Sequence, residues 1–147
     1  MNCQTPTGMA CLRHLNASVP LSIYDTRSSD HPAVQKGMRA VERHFPNASS
    51  WSGNQIEPAL DQVDAVVASP GIAAGAAILE EARQRGLPIL SDIDLFVSKA
   101  SAPVVGITGT NGKSTVTAMA GLMLESSGFR RGGNLGVPAL DILDPKA

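Results

Sequence analysis

The chain has 147 residues and balances 12 Lys and Arg against 13 Asp and Glu for a net charge of -1, so bulk binding of nucleic acid or of an anionic membrane is disfavoured as its main task. Its 43% hydrophobic and 17% charged residues are ample for a packed core, yet no apolar run approaches the roughly 18 residues of a spanning helix, and no membrane insertion is expected. The opening Met1 to Pro6 holds neither a basic nor an apolar segment, which argues against a secretory signal and for a cytoplasmic location; Cys3 and Cys11 match no zinc or redox spacing and give no disulfide framework.

In chain order, Leu21 to Tyr24, ending at Asp25, and Val63 to Ala68, ending at Ser69-Pro70-Gly71, read as buried strands. Gly75 to Arg85 carries Ile78, Leu79 and Ala82 at helical spacing and is closed by Gly86, the residue favoured after a helix. Leu87 to Leu90 is a further strand, and Ser91-Asp92 offers a cap for a short helix through Leu95, Phe96 and Lys99. Strands alternating with helices predict an α/β fold with a parallel sheet. The small, turn-forming run Lys99 to Pro103 marks a boundary between a first domain, 1–101, and the start of a second, 102–147.

Beyond that boundary Val104 to Thr108 reads as a strand, followed by a glycine-bearing loop and a helix from Lys113 to about Ser127 with Gly128 as its stop. Val116, Met119, Ala120 and Met123 fall three and four apart, which predicts that Met119 and Met123 pack in a core. Arg130 to Gly136 is a loop, and Val137 to Leu143 starts another helix. Elsewhere the chemistry is thin. His14, His31 and His44 share no ligand spacing, Glu80-Glu81 is a solvated helix face, and Trp51 is placed in a loop. Asp92 and Asp94 are better explained as a cap and a first-turn acid than as a catalytic pair.

The segment Gly109-Thr110-Asn111-Gly112-Lys113-Ser114-Thr115 lies between an apolar stretch and an amphipathic helix. Glycines there let successive N–H groups curl around phosphate oxygens, the helix N-terminus adds partial positive charge, and Lys113 can reach the outer phosphates. Ser114 is placed to offer its hydroxyl to a phosphate-bridging Mg2+. The general pattern G-x-x-x-x-G-K-[ST] is not fully met, because its first glycine would fall at Ile107.

Val104 to Thr117 (VVGITGTNGKSTVT) resembles the nucleotide loop of the Mur ligases, ATP-dependent amino-acid-adding enzymes of peptidoglycan precursor synthesis, in which the shorter G-T-x-G-K-[ST] loop is normal. Val67 to Ile72, Ser91 to Phe96 and Gly132 to Pro138 resemble further stretches, in an order and spacing that fit the D-glutamate-adding branch best. The resemblance covers about residues 7 to 145. It implies a Rossmann-like N-terminal domain for a uridine nucleotide, followed by the start of a P-loop ATPase domain, with ATP and Mg2+ required. UDP-N-acetylmuramoyl-L-alanine and D-glutamate would be the substrates, joined through an acyl phosphate.

By the same resemblance Gly109 to Thr115 bind ATP, Ser114 holds the metal and Lys113 is catalytic, while Thr7, Asp25, Thr26, Arg27, Ser69, Gly71 and Asn134 contact the uridine-linked substrate. An acid at the end of a parallel strand suits a ribose or base donor, and Arg27 suits the diphosphate. The family's first strand and its glycine loop, expected ahead of Thr7-Gly8, have no counterpart in Met1 to Pro6. An inactive truncated chain that at most binds nucleotide is the alternative; an unrelated P-loop NTPase is disfavoured by the Ser69-Pro70-Gly71 and Gly132-Gly133-Asn134 matches.

Overall fold

The structure, a computed structural model, describes residues 5–16, 18–133 and 136–143. The chain divides into two compact units, residues 1–92 and 93–147.

The first unit begins with helix α1 (Pro6–Asn16). Its start is fixed by Thr5, whose hydroxyl oxygen accepts from the Gly8 N–H at 3.1 Å, with Pro6 at the first helical position where a missing N–H costs nothing. Strand β1 (Ser22–Asp25), helix α2 (Pro32–His44) and strand β2 (Ser49–Ser52) follow as one strand–helix–strand unit. β1 and β2 pair in parallel, with Ser22 opposite Ser49 and Asp25 opposite Ser52. After helix α3 (Ile56–Leu60), strand β3 (Val66–Val67), helix α4 (Ala77–Gln84) and strand β4 (Ile89–Leu90) repeat that pattern, and β3 pairs in parallel with β4. The α/β class with parallel pairing agrees with the sequence.

Alternation along β1 explains how the layers close. Ile23 points to a core cluster with Leu12 of α1 and Val41 and Phe45 at the end of α2. Tyr24, leaving the opposite face, packs with Trp51 against a second cluster of Ala59, Leu60, Ile78, Leu79 and Ala82 from α3 and α4. The β1–β2 pair is thus covered on both faces, as parallel strands require.

Four elements of this unit, α1, α2, β2 and α3, escaped the sequence reading. α2 is built on Pro32 at its first position and on His31, whose Nδ1 accepts from the Ala33 N–H at 3.2 Å; this histidine is a cap. Trp51 stands in β2, not in a loop, and its indole N–H donates to the Ser22 hydroxyl at 3.0 Å while that hydroxyl donates to the Ala59 carbonyl at 2.8 Å. α1 was hidden by its mixed composition. In contrast, α4 ends as expected, with Gly86 at φ 69 and its N–H on the Arg83 carbonyl.

At the edge of the first unit, helix α5 (Asp92–Lys99) starts at Asp92, where the sequence suggested a cap or first-turn acid, and its side chain is buried with Oδ1 unpartnered among the described residues. In the second unit the expected strand Val104 to Thr108 does not form. No described strand lies beside it to accept its ladder, and Val105 is 71% exposed. Helix α6 (Lys113–Leu124) is followed by a 3-10 turn, Glu125–Ser127, and stops at Gly128 with φ 80. Met119 and Met123 are not core residues: they are 58% and 77% exposed, and α6 buries none of its side chains. Among the described residues of this unit, apolar groups are buried only at Ala139 and Leu140, in the 3-10 turn Ala139–Ile142, formed where another helix was expected. No helix among the described residues is long and apolar enough to cross a membrane.

Candidate functional site

At the C-terminal end of β1 the chain turns through Asp25-Thr26-Arg27. The Asp25 carboxylate is buried and Arg27 closes on it three times: its backbone N–H donates to Oδ1 at 3.0 Å, its Nε to Oδ1 at 2.9 Å, and Nη2 to Oδ2 at 2.7 Å. Burial pushes the Asp25 carboxyl up, but these hydrogen bonds and the Arg27 charge outweigh it and hold the group below the usual carboxylate range. The sequence suggested that the acid accepts from a ribose or base donor and that Arg27 faces a diphosphate; the structure pairs the two side chains with each other, and Thr26 is exposed beside them.

The remaining strand-end residues stand on other segments. Thr7 and Gly8 occupy the first turn of α1. Ser69 is half-buried in the turn after β3, where its carbonyl accepts from the Ile72 N–H at 3.0 Å, and Gly71 is exposed with open space around it. Asn134 lies outside the described residues. Two neighbours of the β1 turn went unnoticed in the sequence: Gly53, whose N–H donates to the Asp25 carbonyl at 3.1 Å, and Tyr24, whose hydroxyl donates to the Gly53 carbonyl. The signal for Gly53 was the Ser-Gly-Asn run after Trp51, a turn sequence at a strand end.

The second candidate site begins α6. Gly112 is its N-cap in the left-handed region, φ 75, and no side chain caps the helix, which leaves the first N–H groups open to an anion. Gly109 at φ 148 lets the loop fold close, so that the Lys113 ammonium donates back to the Gly109 carbonyl. Gly109 to Thr115 are all exposed, and the Ser114 hydroxyl has no hydrogen bond among the described residues. Those residues contain no cluster of three or more His, Cys, Asp or Glu side chains that could hold a metal by themselves.

A cavity of about 360 Å³ lies elsewhere, on the solvent face of α2, lined by Pro32, Gln35, Lys36, Arg39, Ala40 and Arg43. It contains none of the candidate residues. Its cations follow the helical repeat on the side opposite Val34 and Val41 and read as the solvated face of an amphipathic helix.

Residues 5–91 match the family model of the Mur ligase MurD-like N-terminal domain. Over 141 residues, 94% of its length, the chain is 38% identical to the UDP-N-acetylmuramoylalanine–D-glutamate ligase of Legionella pneumophila and 42% identical to that of Escherichia coli K12, covering 30% of each. The Pectobacterium atrosepticum ligase of the same name is 42% identical over 144 residues, 96% of the chain and 31% of that relative. The chain therefore spans about a third of the length of these curated relatives, and on its matched domain and its identities it belongs to the MurD-like Mur ligases.

Proposed function

We propose that this chain serves ATP-dependent addition of D-glutamate to UDP-N-acetylmuramoyl-L-alanine, through an acyl phosphate, in peptidoglycan precursor synthesis in the cytoplasm. Residues 1–101 are the Rossmann-like domain for the uridine nucleotide, and residues 102–147 begin the P-loop ATPase domain. The observation that carries the reading is the uncapped start of α6 with Gly112 left-handed and Lys113 folded over Gly109, in a chain of this family.

The residues fit the groups the reading needs. Gly109 to Thr115 would receive phosphate oxygens on backbone N–H groups, and Lys113, moving from the Gly109 carbonyl to the outer phosphates, would stabilise charge on the transferring group. Ser114, exposed beside Lys113 in the first turn of α6, would hold Mg2+ jointly with the phosphates. On the first unit Thr7, Asp25, Thr26, Arg27, Ser69 and Gly71 form the substrate contact, with Arg27 presented by Asp25 toward the diphosphate.

A second reading is favoured by coverage: the 147 residues match only 30% of the Escherichia coli ligase, and taken alone they bind nucleotide without joining D-glutamate. Both readings assign ATP to the same loop. Calorimetric titration of Mg-ATP into the wild type and Lys113→Ala tests it: a loss of about tenfold or more is expected, the effect of one charge-assisted contact. Equal affinity contradicts the assignment.

A further inference from the structure

We infer that Tyr24 and Gly53 are positioning residues: the Tyr24 hydroxyl pins the Gly53 peptide behind the turn that follows β1, and so sets where Arg27 is held. The inference rests on the reading of that turn as a uridine-diphosphate contact. Tyr24 and Trp51 stand opposite each other across β1 and β2. The Tyr24 ring lies on the second core cluster, and its hydroxyl reaches past that cluster to the Gly53 carbonyl. The N–H of the same glycine donates to the Asp25 carbonyl at 3.1 Å. Both polar groups of Gly53 are thereby gripped by consecutive residues of β1.

Gly53 also backs the turn sterically. Its φ of 59 lies in the left-handed region, and a Cβ built on it would meet Ser28 Cα at 3.5 Å and the Arg27 carbonyl at 3.8 Å. The turn therefore rests between two supports, the Asp25 carboxylate that accepts from Arg27 and the Gly53 backbone beyond it. Without the phenol hydroxyl the Gly53 carbonyl loses its side-chain donor, the backing relaxes, and the guanidinium no longer has a single position. Tyr24→Phe isolates this effect because the ring, and its packing, stay.

The experiment follows the Asp25 carboxyl by site-resolved carbon NMR titration in the full chain, as wild type, Tyr24→Phe and Gly53→Ala, with thermal melting of each, and titrates UDP into all three. The phenol is neutral throughout the carboxylate range, so its removal reaches Asp25 through the position of Arg27. Both variants are expected to melt cooperatively, to titrate Asp25 closer to the ordinary carboxylate value than the wild type does, and to bind UDP about threefold or more weakly, the scale of one hydrogen bond. A wild-type Asp25 titration in folded Tyr24→Phe overturns the inference, as does loss of the folded state in that variant, which would make the hydroxyl a structural group. Shifted Asp25 in variants of a chain whose wild type does not bind UDP would defeat the uridine reading and leave the pinning standing.

Discussion

Arg27 donates three times to one carboxylate, and that arrangement has a pH signature. Because Asp25 titrates below the ordinary carboxylate range in the fold, the unfolded chain takes up its proton first as pH falls. The stability it contributes is complete above the unfolded value, about 3.9, and is lost as pH drops through the lower folded one. Arg27→Met is expected to cost about 1 kcal/mol at pH 7, a figure discounted for the third of the Arg27 side chain that solvent screens. Urea unfolding at pH 7 and at pH 3 or below checks it: the gap between wild type and variant narrows in acid, and a gap independent of pH would contradict the coupling. The residue pair was visible in the sequence as a strand-end acid and a following arginine. Its mutual saturation was not, because two residues apart in sequence the side chains can equally diverge; burial of Asp25 made the closed pair the stable choice.

Among the elements, α2 and β1 share the first core cluster, where Phe45 is 5% exposed just past the end of α2 and its N–H donates to the Val41 carbonyl at 2.7 Å. Phe45→Ala is expected to destabilise the chain by about 3 to 5 kcal/mol, through lost burial and the cavity left behind, measured by urea denaturation; a loss under about 1 kcal/mol would mean the cluster is not the core of this unit. Sequence patterning revealed β1, β3, β4, α4 and α5, whose apolar runs and glycine stops are local signals. It missed α2, because its apolar positions Val34, Gly37 and Val41 include a glycine and are spread among Lys36, Arg39, Glu42 and Arg43. It overstated Val104 to Thr108, since a β-branched run predicts strand only where a neighbour supplies the ladder. The same limit applies to Met119 and Met123: helical spacing marks an apolar face but cannot say what covers it.

For the whole molecule, the family membership rests on residues 5–91 and on relatives about three times longer. The loop proposed for phosphate could be picked out before the fold because its features are local: glycines, a lysine and a helix start within seven residues. The proposed strand-end site was legible only in part, since Thr7, Asp25 and Ser69 lie on three separate segments whose arrangement no local pattern sets. Forming an acyl phosphate requires the acceptor carboxylate and the γ-phosphate to be held in line within about 3 to 3.5 Å by fixed groups. On the proposed reading Lys113 and Ser114 hold phosphates and one metal ion, and orienting the acceptor carboxylate and binding the incoming amino acid fall to other groups. The most direct measurement is phosphate release by the purified 147-residue chain with ATP, Mg2+ and UDP-N-acetylmuramoyl-L-alanine, with and without D-glutamate. Release unchanged by D-glutamate and no ligated product in the mass spectrum are expected; stimulation by D-glutamate with a ligated product would contradict the proposal that these 147 residues alone bind nucleotide without joining the amino acid.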